Sequence, residues 1–276
     1  ALNEAGVAKI LRDTVAPPTP GRQEDPDEFR ISIAGAQEKT ALLLLDGQWC
    51  RPSGSTPTTH IFKLPLGIVG GGQRDMRDSV ENEWLCAQIM GAFGIDMPYC
   101  EIETFEDQKA LVVERFDRRW SNGALLRLPQ EDCCQALGVP PSKKYESDGG
   151  PGMEDIAKLL MTSTKGLASV ATFLRAQVLF YLMAAPDGHA KNYSIRLLPG
   201  GEYELTKLYD VLSIWPLVGR RAKQVQFQKI KMAMGFKATR GTKREIGMIM
   251  PRHVEATGKA CGHAALLKEA EVVMDL

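Results

Sequence analysis

The longest predominantly apolar stretch constrains the fold more than any other feature of this sequence. Residues 170–184, VATFLRAQVLFYLMA, carry a single charge at Arg175 and are typical of a helix buried at the centre of a domain. Acid, histidine, lysine and amide side chains then follow within the six positions from Asp187 to Asn192. Because loops on a rigid support often carry functional groups, residues 187–192 are the first candidate site.

The order of strand and helix signals predicts an α+β fold. Strand-like segments crowd the first half, after a short amphipathic helix and a connector rich in proline, and helical patterns dominate the second half. The expected elements are strands at 29–33, 40–46 and 59–64, a mobile glycine-rich loop at 67–78, a strand pair around residues 199–201, and closing helices at 242–250 and 261–273.

The length of the chain predicts two lobes. At 276 residues it exceeds the roughly 250 residues at which a single core usually divides. We expect an N-terminal helix and linker at 1–28, a sheet-rich N-lobe at 29–117 and a helical C-lobe with the polar loop at 118–276. In such a bilobal α+β plan, small ligands usually bind in the cleft between lobes.

The composition favours a cytoplasmic protein without a membrane segment. Lys plus Arg equals Asp plus Glu at 34 each, so no global field recruits nucleic acid. The six cysteines lack the spacing of a zinc site, which favours reduced thiols. The longest uninterrupted apolar runs, such as residues 41–45, are far shorter than the roughly 20 residues that span a bilayer.

One segment departs from this even balance of charge. From Arg220 to Arg244 there are nine Lys or Arg and no Asp or Glu. The segment is either a phosphate-facing surface or a solvated, flexible flank, and the charge pattern alone does not separate these alternatives.

The polar loop has the spacing of a phosphoryl-transfer site. Asp187 and Asn192 are five residues apart, as are the catalytic Asp and the metal-binding Asn of kinase catalytic loops. Asp210, after the predicted strand pair, is a candidate for the second metal-binding residue. One Asn and one Asp suffice for Mg²⁺, because this ion keeps several waters and takes oxygen ligands from ATP phosphates. Taken alone, Asp-Gly before polar residues indicates only a turn.

The residue pattern leaves alternative roles for the other two titratable residues of the loop, His189 and Lys191. His189 is expected to orient the loop by hydrogen bonds near the nucleotide rather than to act as a base or a metal ligand, since no nearby His or Cys completes a zinc set. Lys191 either contacts the γ-phosphate of ATP or is a solvated charge.

The first half offers the remaining parts of an ATP site. Lys63 ends an apolar strand and could reach ATP phosphates, restrained by Glu83 or Glu81 of the following helix; the alternative is a surface lysine. Backbone groups of Glu114 and Phe116 could bind the adenine edge, unless this is a plain edge strand. The small residues Ala34, Gly35 and Ala36 would let backbone N–H groups approach phosphate, and Gln37 of the same loop is a further candidate contact, although neither a Walker A motif nor the kinase GxGxxG lid is present.

Seven motifs in one order resemble the HipA family of bacterial serine/threonine kinases, the toxins of toxin–antitoxin pairs. The matching stretch runs from about Phe29 to His253, and its motifs are RISIAGAQEKTALL, THIFKLP, VERFDRRW, LPQEDCCQALG, KYESDGGPG, DGHAKN and YDVLS. The resemblance implies a two-lobed kinase-like fold that uses ATP and Mg²⁺. It also implies a dimeric helix-turn-helix antitoxin, HipB, that binds operator DNA, and an aminoacyl-tRNA synthetase as target, glutamyl-tRNA synthetase in the best-known members.

The resemblance also implies roles for single residues. Asp187 matches the catalytic Asp, Asn192 and Asp210 match the magnesium ligands, and Lys63 matches the lysine that contacts ATP phosphates. Glu114 and Phe116 match the hinge that holds adenine. Ser32 matches a serine that these kinases autophosphorylate; a phosphate there would add negative charge where ATP phosphates must lie and would expel the lid.

Two departures from the family pattern and two alternative functions accompany the resemblance. Longer family members carry an additional domain before the matching region, so the chain is either a short member or a trimmed fragment. Pro186 stiffens the loop directly before Asp187. The alternative function is a weakly active or inactive nucleotide-binding co-repressor, which would act through an antitoxin–DNA complex and use the basic segment 220–244; a lipid or small-molecule kinase is a third reading.

Overall fold

The computed structural model describes residues 1–15, 37–69, 74–221 and 223–274. These residues divide into two compact units, each with its own hydrophobic core. Unit 1 consists of residues 1–84 and 98–127, and unit 2 consists of residues 85–97 and 128–276. The predicted strand at 29–33 and the connector at 16–28 lie outside the described residues.

Unit 1 is built on a five-stranded antiparallel sheet. Its described elements are α1 (Glu4–Val15), β1 (Lys39–Leu45), β2 (Gln48–Cys50), β3 (His60–Lys63), β4 (Gly67–Val69), β5 (Arg74–Met76), α2 (Ser79–Ala92, of which the residues up to Trp84 belong to unit 1), β6 (Cys100–Phe105), β7 (Gln108–Glu114), β8 (Arg118–Ser121) and β9 (Ala124–Arg127). The strand order in the sheet is β2-β1-β3-β7-β6. The strands β4 and β5 pair with each other, as do β8 and β9.

The amphipathic pattern of α1 explains its position on this sheet. Its apolar residues recur at helical spacing, so that Val7, Ala8 and Leu11 are fully buried on one face. They share a core with Phe62 of β3 and Val112 of β7. The predicted N-terminal helix is confirmed, and β3 lies at the centre of the sheet.

Unit 2 surrounds the long apolar helix that the sequence predicts. The elements are α3 (Cys133–Ala136), α4 (Met153–Met161), α5 (Leu167–Leu182), α6 (Pro251–Ala260), α7 (Leu266–Met274), β10 (Gln130–Asp132), β11 (Ser194–Leu197), β12 (Tyr203–Leu205), β13 (Lys231–Lys237) and β14 (Thr242–Glu245). Phe173, Leu174 and Phe180 of α5 are buried in the core of the unit. Strands β10, β11 and β12 form one antiparallel sheet, and β13 and β14 form a hairpin.

Two predictions of local structure are wrong. The segment 67–78, expected to be a mobile loop, contributes the paired strands β4 and β5. The segment 242–250, expected to be a helix, forms β14 and a single 3₁₀ turn, while the helix α6 begins only at Pro251. In both segments cross-strand pairing prevails over a weak local pattern.

Among the residues described, none of the helices combines the length and the apolar character that crossing a membrane requires.

Candidate active site

The loop after α5 is shaped by close packing against that helix. Ala184 turns the chain with a φ of 45°, and the N–H of Ala185 returns to the carbonyl of Phe180 at 2.8 Å. At Gly188 an added Cβ would lie 2.3 Å from the ring of Phe180. Only glycine therefore allows the loop to lie this close to the helix.

The side-chain amide of Asn192 joins the two predicted acidic residues of the site. Asn192 is 4% exposed and lies in a 3₁₀ turn, Ala190–Asn192. Its Nδ2 donates to the backbone carbonyl of Asp187 at 3.0 Å and is 3.5 Å from that of Asp210. The Asn192 amide thus brings the backbones of Asp187 and Asp210 together.

The carboxylate of Asp187 is accessible but held on one side. Its side chain is 64% exposed. Its Oδ1 accepts a hydrogen bond from the hydroxyl of Tyr145 at 2.7 Å, and its Oδ2 lies 4.0 Å from Nε2 of His189. An exposed carboxylate with one fixed oxygen suits a residue that receives a proton from an incoming hydroxyl.

Asp210 is placed by the residue before it. Asp210 is exposed and has a left-handed backbone with a φ of 65°. The hydroxyl of the neighbouring Tyr209 lies 2.6 Å from that of Ser194 and 3.1 Å from the carbonyl of Lys191. Tyr209 therefore fastens the Asp210 segment to the loop that carries Asn192.

His189 is buried, and its surroundings shift its pKa. Burial lowers its pKa, and the nearby positive charge of Lys144 acts in the same direction, while the charges of Asp187 and Asp210 oppose the shift. The rings of His189 and Tyr145 pack nearly perpendicular to each other with their centroids 5.1 Å apart, and Nδ1 of His189 is buried without a hydrogen-bond partner among the described residues. The predicted role of His189, orienting the loop by hydrogen bonds, stays a prediction.

Lys191 forms an ion pair that the sequence analysis missed. Its Nζ lies 2.5 Å from Oδ2 of Asp132, and the other carboxylate oxygen of Asp132 caps helix α3 through the N–H of Gln135. The interpretation of Lys191 as a solvated charge is therefore wrong, whereas a contact with the γ-phosphate stays a prediction.

The donor atoms at this loop fit Mg²⁺. The amide oxygen of Asn192 and the exposed carboxylate of Asp210 are hard oxygen ligands, and their loops are joined by the Asn192 amide. Within the described ranges, no cluster of three or more His, Cys, Asp or Glu could hold a metal by itself. A site of this kind would need waters or phosphate oxygens to complete its coordination, as magnesium–nucleotide sites do.

In unit 1, Lys63 is paired as the sequence analysis predicted. It ends β3, the central strand, and its ammonium contacts the carboxylate of Glu83 in α2. Both side chains are 8% exposed, so the alternative of a surface lysine is wrong. Glu81, the second candidate, instead contacts Lys109.

The other predicted ATP residues of unit 1 are only partly described. The N–H of Glu114 donates to the carbonyl of Tyr99 at 2.9 Å and is therefore already used, while Phe116 is half-buried. Nε2 of Gln37 donates to the carbonyl of Leu64 at 2.7 Å, next to Lys63. Ser32, Ala34, Gly35 and Ala36 lie outside the described residues.

The basic segment 220–244 is not a continuous charged surface. Strand β13 occupies its centre, and Met232, Ala233, Met234 and Phe236 of this strand are buried. A solvated flexible flank is therefore the wrong description of this part. Lys231 and Lys237 pair with Glu245 and Glu154, and other cations of the segment, among them Arg221, Lys223, Lys229 and Arg240, are exposed.

Three further residues hold the loop through side-chain contacts and were not predicted from the sequence: Tyr145, Asp132 and Tyr209. Their only signal in the sequence is that they lie in the motifs KYESDGGPG, LPQEDCCQALG and YDVLS.

Comparison with known proteins identifies the relatives of this chain. A family model described as "HipA-like C-terminal domain" matches residues 31–275. Y4mE of Sinorhizobium fredii, named as a candidate kinase, is 38% identical over 214 residues, which cover 77% of this chain and 48% of that protein. The serine/threonine-protein kinase toxin HipA of Shewanella oneidensis is 34% identical over 200 residues, which cover 67% of this chain and 43% of that protein.

A solved structure shows the same fold. It is that of the Shewanella oneidensis MR-1 toxin–antitoxin system HipA, HipB and its operator DNA, with a TM-score of 0.73 at 24% identity, covering 100% of this chain and 65% of the matching chain. The class is thus an α+β protein with a protein-kinase-like fold, as the sequence predicts. The chain belongs to the HipA family. It spans about half the length of these two relatives, 48% of Y4mE and 43% of HipA.

Proposed function

We propose that this chain transfers the γ-phosphate of ATP to a serine or threonine of a protein. The observation that carries the proposal is the amide of Asn192, whose nitrogen lies 3.0 and 3.5 Å from the backbone carbonyls of Asp187 and Asp210. This contact brings a candidate general base to the residues that would hold a metal. The name of the HipA relative, a serine/threonine-protein kinase toxin, supports the same reaction class and acceptor.

Each residue has a definite task in the proposed reaction. Asp187 orients the acceptor hydroxyl and accepts its proton, while the bond from the acceptor oxygen to the γ-phosphorus forms and the β–γ bridge bond breaks, so that ADP leaves. Asn192 and Asp210 would hold Mg²⁺, which supplies neutralisation of the phosphate charge. Lys63, restrained by Glu83, contributes positive charge to the ATP phosphates.

The remaining predicted ATP contacts belong to the same proposal. Glu114 and Phe116 would hold the adenine, and Ala34, Gly35, Ala36 and Gln37 would form the lid over the phosphates. His189 packs behind Asp187 and keeps the loop in place, and Lys191 would reach the γ-phosphate only by leaving Asp132. Phosphorylation of Ser32 would place about two negative charges near the lid and reduce ATP binding.

Transfer of radiolabelled phosphate from ATP tests the proposal. We expect Asp187→Ala and Asp210→Ala each to lower transfer into proteins of a bacterial lysate by at least about 10³-fold, because base and metal ligand act only together. Lys207→Ala is the matched control in unit 2, since Lys207 lies near Asp96 and the carbonyl of Met97 rather than at the loop. Undiminished transfer by the Asp187 variant would remove that residue from its role.

The same lysate experiment can identify the protein that receives the phosphate. The family resemblance points to an aminoacyl-tRNA synthetase, with glutamyl-tRNA synthetase as the first candidate, whose phosphorylation would halt translation and favour persistence. Mass spectrometry of the labelled band would identify the acceptor, and label on a lipid or small molecule instead of protein would contradict the proposal.

A second proposed role is co-repression through an antitoxin. The solved relative forms a complex with HipB and its operator DNA, which supports a HipB-like helix-turn-helix dimer as partner of this chain. Such a complex would act in the cytoplasm and at the nucleoid. The exposed cations of the segment 220–244 are the candidates for phosphate contacts, with or without kinase activity.

The salt dependence of operator binding tests whether the segment 220–244 contacts DNA phosphates. The variant reverses the charges of Arg221, Lys223, Lys229 and Arg240 to Glu, and the control reverses four other exposed cations of unit 2: Lys158, Arg252, Lys259 and Lys268. Loss of each phosphate contact lowers the slope of log K against log salt by about 0.9, so only the first variant should flatten it. Equal slopes in the two variants would argue against a DNA contact by this segment.

A further inference from the structure

Tyr145 contacts two residues of the loop at once. Its hydroxyl donates to Oδ1 of Asp187 at 2.7 Å, and its ring meets that of His189 edge to face at 5.1 Å. Burial, followed by the bond to Asp187, raises the pKa of Tyr145. The phenol therefore remains a protonated donor throughout the physiological range of pH.

The carboxylate of Asp187 needs such a partner. Asn192 fixes only the backbone carbonyl of Asp187, and the carboxylate itself is exposed on an irregular segment. Its rotation about the side-chain bonds is therefore restrained by the hydroxyl of Tyr145, which holds one oxygen and leaves the other accessible. Misplacement of a reacting group by about 1 Å can lower a rate about 10²-fold.

The segment that carries Tyr145 is itself tightly closed. The N–H groups of Asp148 and Gly150 both donate to the carbonyl of Tyr145 at 3.0 Å. A Cβ at Gly150 would lie 1.9 Å from the carbonyl oxygen of Lys143, so only glycine fits there. The backbone of Tyr145 is thus defined by local hydrogen bonds and by a close approach of two chain segments.

Glu146 fastens this segment to the hairpin β13-β14. Its Oε2 accepts from the N–H of Gly235 at 2.5 Å, and its Oε1 accepts from the hydroxyl of Thr242 at 2.6 Å. The same hairpin also holds the start of the polar loop 187–192, because the N–H of Ala233 donates to the carbonyl of Pro186 at 2.8 Å. One hairpin therefore anchors both sides of the contact between Tyr145 and Asp187.

We propose that Tyr145 is a positioning residue, whose hydroxyl holds the carboxylate of Asp187 in the orientation that receives the proton of the acceptor. The inference rests on the proposed kinase function. It assigns to the KYESDGGPG segment the task of setting the geometry of the general base, with Glu146 and the hairpin as its support.

The test compares two tyrosines of the same unit. Tyr145→Phe removes the hydroxyl and keeps the ring against His189. Tyr203→Phe, the matched control, also removes a hydroxyl that donates a hydrogen bond, to the carbonyl of Leu159 at 2.8 Å, away from the loop. Initial rates of radiolabelled transfer from Mg·ATP into a bacterial lysate are measured against ATP concentration, with the Asp187→Ala protein as the blank for the kinases of the lysate.

We expect Tyr145→Phe to lower the maximal rate about tenfold to a hundredfold, with the KM for ATP unchanged within about twofold, because the hydroxyl acts on the base and not on nucleotide binding. Tyr203→Phe should keep the wild-type rate. In thermal melting, the shifts caused by Tyr145→Phe and Asp187→Ala should be non-additive, whereas those of Tyr203→Phe and Asp187→Ala should add.

Results that differ from these expectations overturn either the role of Tyr145 or the proposed kinase function. A maximal rate of Tyr145→Phe equal to that of the control, or higher than that of the wild type, overturns the positioning role and leaves the kinase proposal standing. An effect confined to the KM for ATP also overturns it. Absence of transfer by the wild type, with Mg·ATP bound in calorimetry, overturns the proposed function and the role of Tyr145 with it.

Discussion

The two units hold their candidate site residues in different ways. In unit 1, Lys63 and Glu83 stand on a central strand and a helix and neutralise each other in a buried ion pair. In unit 2, the exposed Asp187 and Asp210 lie on irregular loops, and a neutral amide, Asn192, holds their backbones.

This contrast follows from what each group has to do. A charge that is taken out of water must be paired, so Lys63 depends on a carboxylate partner. The carboxylate of a base or a metal ligand must instead be able to reach a substrate or a cation, so its position is better fixed through the backbone or through a single donor. We therefore expect unit 1 to be sensitive to loss of charge and unit 2 to loss of hydrogen-bond donors.

The largest expected effect concerns the two carboxylates of α2. Glu83→Ala removes the carboxylate that pairs with the buried ammonium of Lys63 and should lower the free energy of unfolding by about 3–5 kcal/mol. Glu81→Ala breaks a pair whose members, Lys109 and Glu81, are 34% and 44% exposed, and should cost about 0–1 kcal/mol. Urea unfolding of the full chain measures both changes, and similar losses would show that burial does not distinguish the two pairs.

An intermediate effect is expected from a change that removes only a donor. Asn192→Asp keeps an oxygen ligand but replaces Nδ2 by a second oxygen, 3.0 and 3.5 Å from the carbonyls of Asp187 and Asp210. The resulting repulsion should displace the loop and lower phosphate transfer about 10²-fold, since transfer depends on near-ångström placement.

The control for this variant is Asn122→Asp, the same chemical change at an exposed turn residue of unit 1 between β8 and β9. It should leave transfer at the wild-type rate. An active Asn192→Asp protein would indicate that the amide donor is not what holds the loop.

The smallest effect is expected from the titration of two histidines, one in each unit, and it also distinguishes the two units. Burial lowers the pKa of His189 and of His60, so the unfolded chain binds each proton at higher pH than the folded chain. The free energy of unfolding should therefore begin to fall as the pH drops below the ordinary histidine pKa of about 6.5. It should keep falling until the pH is below the lowered pKa that each histidine has in the folded protein.

His189→Gln and His60→Gln should each reduce this loss of stability in acid. Only His189→Gln should also alter the acid limb of the rate of phosphate transfer, because His189 lies beside Asp187 and His60 lies in unit 1. Unfolding and transfer measured between pH 5 and pH 8 give both profiles; an identical acid limb in the two variants would contradict the distinction.

Much of the site could be predicted because its residues lie in short, local patterns. The spacing of Asp187 and Asn192, the end of an apolar strand at Lys63 and the helix that supplies Glu83 are all visible in the sequence. The α+β class and the buried helix α5 follow from apolar periodicity, and both are confirmed. The individual roles in the reaction, and the domain limits at residues 28 and 117, stay predictions.

The features that could not be predicted from the sequence depend on contacts between residues far apart in the chain. The strands β4, β5 and β14 were missed because their hydrogen bonds are made to a partner strand, while their local residue patterns are weak. The pairing of Lys191 with Asp132 spans 59 positions, and that of Tyr145 with Asp187 spans 42. Neither pair has a spacing rule that could have indicated it.

The sequence by itself determined the fold class, the family and the chemical types of the candidate residues, because apolar periodicity and motif order are properties of the linear chain. Only the tertiary structure decided which carboxylate neutralises Lys63, that Lys191 is held by Asp132, and that a tyrosine hydroxyl fixes one oxygen of Asp187. The physical reason is that hydrogen bonds and ion pairs depend on distances of about 3 Å between atoms, and folding alone sets those distances for residues remote in sequence.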